Sequence, residues 1–229
     1  MYLSREQAGD VQASEIPISL FMDVGRLAGK DAGDSSERVW HHNAHKEELA
    51  AHLRRVAAYA ELLARKRGLS GEEALLVKQV CPMHDIGKWM IPAHILQKPS
   101  PLNEQEWAIM KTHTLAGYEI LKDSKLDILQ LGALVAMQHQ EKYDGSGYPV
   151  GLKGGEIHLY SRITTVVDVF DALDSARTYK EPWPIEAIVD YFSRERGTHF
   201  DPELVDLLLE HLDEFLEVRS EFDGGRGGI

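Results

Sequence analysis

Seven side chains in this 229-residue chain have the types and spacing of a metal-ligand set: Glu48, His52, His84, Asp85, His113, His139 and Asp168. Imidazole and carboxylate without any sulfur suit iron, manganese or zinc better than magnesium or calcium. The centre of the set is His84-Asp85-Ile86-Gly87-Lys88. There an imidazole adjoins a carboxylate whose two oxygens can bridge two cations. Gly87 lets the backbone turn sharply, and Lys88 places an ammonium one short step away. Metals on one side and a lysine on the other suit an anionic substrate such as a phosphate ester. Two metals bridged by Asp85 and a hydroxide would supply a nucleophile for in-line displacement at phosphorus, with Lys88 offsetting charge on a non-bridging oxygen. A His-Asp pair by itself proves little; the partners elsewhere in the chain give it meaning.

The elements that would position these groups read as helices. Leu49, Leu53, Val56, Ala60 and Leu63 recur at three- and four-residue steps, which predicts a helix over 46–67 stopped by Gly68. Glu48 and His52 lie one turn apart on a single face of it. Ser70 and Glu73 form a capping box that opens a second helix running to His84-Asp85, with Pro82 kinking its last turn. Asn103 and Glu106 open another, through Trp107, Met110 and Leu115, with His113 inside it. The segment 126–138 is apolar on most sides and therefore central, and it delivers His139 at its C-terminal end.

Over 158–176 the residues Ile163, Val166, Val167, Phe170 and Leu173 face inward, with Asp168 among them. A carboxylate in that setting needs a partner, because an unpaired buried charge is costly. Asp171, one step round the helix, is placed to support a ligand. Arg177 and Lys180 follow at once, either as phosphate contacts or as a basic helix end that complements the dipole. Two helices close the chain, over 185–196 and from the Asp201-Pro202 cap to 217. Between His139 and the 158–176 helix lies the glycine-rich run Asp144-Gly145-Ser146-Gly147-Tyr148-Pro149, continuing to Gly155. No Gly-Lys-Ser or Gly-Lys-Thr follows, so it is not a P-loop. It reads as a lid or binding loop, or as a plain surface loop.

The resulting expectation is an all-α bundle holding two or more cations in its interior. A net charge of -12 argues against a nucleic-acid polymer as partner, and an acidic protein that binds phosphates must neutralise them locally. The single cysteine, Cys81, excludes an intrachain disulfide and a thiolate zinc cluster, and reads as a small buried hydrophobe. No apolar run is long enough to span a bilayer and the N-terminus lacks the plan of a signal peptide, so the cytoplasm is the expected compartment. Residues 1–45 read as a short, partly flexible segment with a weak strand and helical turn over 16–27 and a linker over 29–37. His41, His42 and His45 read as exposed histidines ahead of the first helix. Residues 46–217 form the domain, and 218–229 a flexible tail.

His52 with Arg55-Val56, the His84-to-Lys88 run, His113 with Gly117, and Asp144-Gly145-Ser146-Gly147-Tyr148-Pro149 together resemble the HD-GYP family, a branch of the HD-domain metal phosphohydrolases. Asp168 with Phe170-Asp171-Ala172-Leu173, Arg177-Thr178-Tyr179-Lys180 and Gly197-Thr198-His199-Phe200-Asp201-Pro202 match as well, so the similarity covers about 46–212. The resemblance implies an HD-domain helical bundle that hydrolyses cyclic di-GMP to linear pGpG and often onward to GMP. It implies a cluster of two divalent ions, or three where Glu48 joins, with iron or manganese the common metals. By matching position, His52, His84, Asp85, His113, His139 and Asp168 would be metal ligands. Lys88, Arg177 and Lys180 would contact substrate phosphates, and Tyr148 would belong to the signature loop.

Family members usually carry two consecutive histidines before the glutamate of that loop; here the sequence is His139-Gln140-Glu141, and an amide oxygen is a weaker ligand than imidazole. Residues 1–45 are also shorter than the receiver domain that often precedes this domain. Gln140 motivates an alternative: a non-catalytic module that senses a dinucleotide or docks proteins, such as diguanylate cyclases, through the glycine-rich loop. A third reading keeps the chemistry on another cyclic dinucleotide. A homodimer is compatible with each.

Overall fold

The computed structural model describes residues 43–175 and 181–223, with the side chains of residues 43–46 and 223 left aside. The weak signals over 16–27, the 29–37 linker, Arg177 and Lys180 lie outside the described residues, as do His41, His42 and the His45 side chain. Among the described residues there are ten α-helices and three short 3-10 turns, and no strand. None of these helices is long and apolar enough to cross a membrane.

Helix α1 (Asn43–Lys66) is the axis of the bundle. Of the stripe the periodicity predicts, Leu53, Val56, Ala60 and Leu63 are buried and Leu49 only partly, while Tyr59, which the periodicity did not single out, is buried with them. Gly68 ends it at φ 86°, a left-handed turn that suits glycine. Helix α2 (Gly71–Val80) opens on the expected Ser70–Glu73 capping box. These two helices and α7 (Leu159–Asp174) enclose the larger core around Tyr59, Phe170, Phe192 and Phe215, completed by α8 (Ile185–Arg194), α9 (Pro202–Glu210) and α10 (Leu212–Asp223). Cys81 is fully buried in it, and burial pushes its thiol up to about 12, as expected of an inert packing residue. A smaller core of Met83, Ile86, Leu121, Ala133 and Ala136 joins the segment after α2 to α5 (His113–Leu121) and α6 (Asp127–Gln138).

Three predicted helices are divided, each with consequence. The second does not run to His84-Asp85. It ends at Val80, and Pro82, which has no N–H to donate, opens a 3-10 turn over Cys81–Met83. A second 3-10 turn covers Ile86–Met90, leaving Asp85 between them at φ -100°, ψ 10°, in the bridge region where many active-site residues sit. The helix opened by Asn103 stops at Lys111 as α4 (Glu104–Lys111), and His113 begins α5 after a break at Thr112. The last predicted helix breaks at His211, which turns Phe215 onto Tyr59 and Phe170 with ring centroids 5.8 and 5.7 Å apart. Its second part, α10, continues to Asp223, past residue 217. The short α3 (Ala93–Leu96) links the 3-10 segment to α4.

Gly87 is needed for a different reason from the sharp turn expected of it. It does not adopt positive φ. A Cβ there would lie 1.9 Å from the His113 carbonyl oxygen and 2.4 Å from the Gly117 nitrogen. The 3-10 segment thus lies directly against the backbone of α5, and that contact sets Asp85 beside His113. Gly87→Ala is expected to cost about 2 kcal/mol or more, as overpacking against rigid backbone does, and to reduce metal uptake with it. Urea denaturation and metal content of the purified variant test both effects.

Candidate metal centre

Two ligand groups lie between the two cores: His52, His84 and Asp168 in one, Asp85, His113 and His139 in the other. Within each group one ligand atom per residue falls within 4.8 Å of the rest. In the first, Asp168 Oδ1 lies 3.6 Å from both His52 Nε2 and His84 Nε2. In the second, Asp85 Oδ1 lies 3.5 Å from His113 Nε2 and 3.6 Å from His139 Nε2. The other Asp85 oxygen, Oδ2, is 3.3 Å from His84 Nε2, so this one carboxylate faces both groups.

The imidazoles are oriented from behind. Nδ1 donates to the Cys81 carbonyl at 2.8 Å in His84, to Met110 at 2.8 Å in His113 and to Ala136 at 3.0 Å in His139. His52 Nδ1 donates to Asp171 Oδ2 at 2.8 Å. A carbonyl or carboxylate oxygen only accepts, so these bonds fix the hydrogen on Nδ1 and leave Nε2 of a neutral ring as a lone pair aimed inward. His113 Nε2 and His139 Nε2 are 3.2 Å apart, where two lone pairs repel unless a cation accepts both. His84 Nε2 and Asp85 Oδ1 are buried without a hydrogen-bond partner, a state that ordinarily costs about 1–3 kcal/mol per group. Divalent metals answer each of these features, and the all-N/O donor set fits iron, manganese or zinc.

The electrostatics agree at Asp85 and His113, whereas at His84 a proton competes with a metal for Nε2. Burial favours the neutral acid at Asp85, but Lys88, whose Nζ is 2.5 Å from Oδ2, and His84 hold it well below the usual carboxylate range. Burial and the neighbouring His139 push His113 down to about 4, so its ring is neutral at neutral pH. Burial also opposes charge on His84, yet the Asp85 and Asp168 carboxylates outweigh it and hold its pKa up at about 9.

Glu48 lies one turn before His52 on α1 and belongs to neither group. Lys88 sits against Asp85, as its position in the motif suggests. Tyr148 reaches the site from the glycine-rich loop, its ring 6.4 Å from that of His113. Gln140 serves that loop through its backbone, its carbonyl accepting the Tyr148 N–H at 3.2 Å. Glu141, which sequence reasoning passed over, is the loop's organiser: 1% exposed, it accepts the N–H groups of Val150, Gly151 and Leu152. An acid directly before a glycine-rich run was the available signal, since such a run exposes N–H groups that need an acceptor. Two more were missed. Thr165 donates to the His139 carbonyl at 2.8 Å, and Gln138 accepts the His158 N–H at 2.8 Å, tying α6 to α7.

Arg55 was legible only as part of a motif. Its Nε and Nη2 donate to the two oxygens of Asp171 at 2.5 and 3.0 Å. Asp171, 1% exposed, thus receives an arginine on one side and His52, a member of the first donor group, on the other. Burial alone would raise its pKa; the hydrogen bonds from His52 and Arg55 bring it below the ordinary value.

The HD domain family model matches residues 42–204. The chain belongs to the HD-domain family. Its motifs are those of the HD-GYP branch. This HD-GYP chain is 49% identical over 177 residues to the 3'3'-cGAMP-specific phosphodiesterase 2 of Vibrio cholerae, covering 77% of this chain and 34% of that protein. It is 46% identical over 173 residues to the cyclic di-GMP phosphodiesterase response regulator RpfG of Xanthomonas campestris, covering 76% and 46%. The HD-GYP chain therefore spans between a third and a half of the length of these relatives. A solved HDG"Y"P protein of Bdellovibrio bacteriovorus, Bd1817, shares the fold, with a TM-score of 0.59 at 17% identity over 86% of this chain and 63% of that one.

Two outcomes follow for metal binding. Asp171→Asn removes the carboxylate that Arg55 and His52 share, and is expected to lower stability by about 3 kcal/mol and metal affinity about 10–100-fold. Denaturation and metal titration read these separately. In the metal-free protein, protonated His84 adds stability that is complete below its ordinary pKa of 6.5 and is lost as pH rises through about 9. A metal competes for the same nitrogen, so affinity for Mn2+ should rise with pH up to about 9 and flatten above it. Calorimetry in buffers of different ionisation enthalpy should detect the released proton.

Proposed function

We propose that this chain is a metal-dependent phosphodiesterase that opens a cyclic dinucleotide, with cyclic di-GMP as first substrate, to the linear dinucleotide pGpG and on toward GMP. The observation that carries this reading is the Asp85 carboxylate, whose oxygens face two separate ligand groups. A carboxylate so shared suits two adjacent metals, and paired metals suit in-line displacement at phosphorus. Iron and manganese are the metals proposed, two per chain, with Glu48 the candidate donor for a third.

When bound, divalent ions there supply Lewis acidity toward phosphoryl oxygens and a nucleophile at neutral pH. The chain's own residues do the remaining work. Asp85, kept ionised by Lys88 and His84, holds the two groups in register. The four Nδ1 hydrogen bonds keep each imidazole aimed, so little reorganisation accompanies substrate entry. Lys88, held against Asp85 Oδ2, offsets charge on a non-bridging oxygen. Burial first, and Asp85 second, push the Tyr148 hydroxyl up to about 12, so it stays protonated and can donate to a phosphate oxygen. Arg177 and Lys180 are proposed as phosphate contacts, following the end of the helix that carries Asp168.

The same chemistry on 3'3'-cGAMP is a second reading, favoured by the 49% identity to a phosphodiesterase named for that substrate. The non-catalytic reading draws less support, since each candidate group has three donors without Gln140. Docking of protein partners on the glycine-rich loop remains compatible with hydrolysis.

The test is turnover of cyclic di-GMP and 3'3'-cGAMP by anaerobically purified, metal-quantified protein. Linear dinucleotide should form, with a chelator or either His84→Ala or Asp85→Ala abolishing it. A fully metallated sample that turns over neither dinucleotide would refute the enzyme reading, and the ratio of the two rates decides the substrate.

A further inference from the structure

Helix α4 buries no side chain completely, yet it carries Trp107 and Ile109, 47% and 41% exposed. It is nonetheless held in place. The Asn103–Glu106 capping box fixes its first turn, and Lys98 Nζ lies 2.5 Å from Glu106 Oε2. Single exposed apolar residues are ordinary; Trp107 differs in its neighbours. Its ring meets that of Tyr148 edge-on at 6.2 Å, and Tyr148 meets that of the metal-ligand candidate His113 edge-on at 6.4 Å. A row of rings therefore leads from the metal groups, through the loop tyrosine, to a half-exposed indole.

One turn further along α4, Lys111 holds its ammonium 5.9 Å from the centre of the Tyr148 ring. Lys98, which reaches the first turn of the same helix, is by contrast paired with Glu106. Lys111 has no carboxylate partner among the described residues, although the chain carries a net charge of -12. A half-exposed indole and a cation with no carboxylate partner among the described residues thus both stand beside Tyr148, whose ring faces His113.

We propose that Trp107 and Lys111 form a subsite for the half of the cyclic dinucleotide that is not being cleaved. The purine stacks on the indole face, and the ammonium meets the second phosphodiester. The proposal rests on the cyclic dinucleotide reading above. A cyclic dinucleotide brings two phosphates, and the metals can engage the phosphorus of only one at a time. The other enters an acidic protein, where Lys111 adds a cation to those proposed above, and lysine serves phosphate well as a point charge. Stacking reads the face of a base and not its edge, so the subsite accepts guanine and adenine alike. Discrimination between cyclic di-GMP and 3'3'-cGAMP must then lie elsewhere.

The experiment is steady-state kinetics and calorimetric binding of both dinucleotides on the metal-loaded full chain. Trp107→Ala should raise KM about tenfold or more, the loss expected for one base–aromatic stack, while kcat falls by less and metal content holds. Trp107→Phe should recover part of the loss. Lys111→Gln should raise KM and flatten its dependence on salt. Ile109→Ser, which alters the far side of the same helix, should keep both constants at wild type. The subsite is overturned if Trp107→Ala and Lys111→Gln keep the wild-type KM, or if Ile109→Ser raises KM equally. If the wild type binds the dinucleotides without turning them over, hydrolysis is wrong and the variants are judged by Kd on the same criteria. If it binds neither, the subsite is overturned too.

Discussion

The site depends on one backbone contact. Asp85 can serve both ligand groups only because the 3-10 segment that carries it lies against the start of α5, with Gly87 and Gly117 at the point of approach. Neither position has room for a larger residue without moving main chain. A Cβ at Gly117 would meet Ala136 of α6 at 2.9 Å as well as the Gly87 nitrogen at 3.3 Å, so three segments close on one another at this point. Small residues here act through distance: they let rigid backbones come near enough for long side chains to share a centre.

Around that contact the protein spends polar groups on orientation. Each of the four histidines has one nitrogen tied to the fold and one directed inward. Three are tied to carbonyls three residues earlier, so local backbone does the aiming. The fourth, His52, sits mid-helix where the carbonyls are already used. Its restraint comes from Asp171 on α7, which Arg55, three residues on in α1, holds in turn. A histidine in the middle of α1 is thereby held in one orientation. The glycine-rich loop follows the same logic: Glu141 gathers three of its N–H groups, so a segment with little apolar content is nevertheless ordered, with Tyr148 against the site.

Much of this was written in the chain. The apolar stripe of α1, the capping boxes at Ser70 and Asn103 and the Asp201-Pro202 cap depend on side chains a few residues apart, and local geometry determines them. The six ligands gathered into two groups could be chosen in advance because donors of matching chemistry recur on successive amphipathic segments. The breaks after Val80, at Thr112 and at His211 were less legible. Pro82 marks the first, but Thr112 and His211 carry no breaker residue, and there tertiary packing overrode a continuous helical pattern.

The sequence by itself determined the helices, the donor types and the absence of sulfur, since these depend on composition and on contacts within a turn or two. Only the tertiary structure decided how the donors divide: that Asp85 is shared, that Glu48 stands outside both groups, and that Asp171 supports His52 from 119 residues away. It also decided that Gly87 is there for a close approach and not for a turn. Such relations are set by where two segments meet in space. No spacing along the chain records that, because the segments are joined only through the packed core between them.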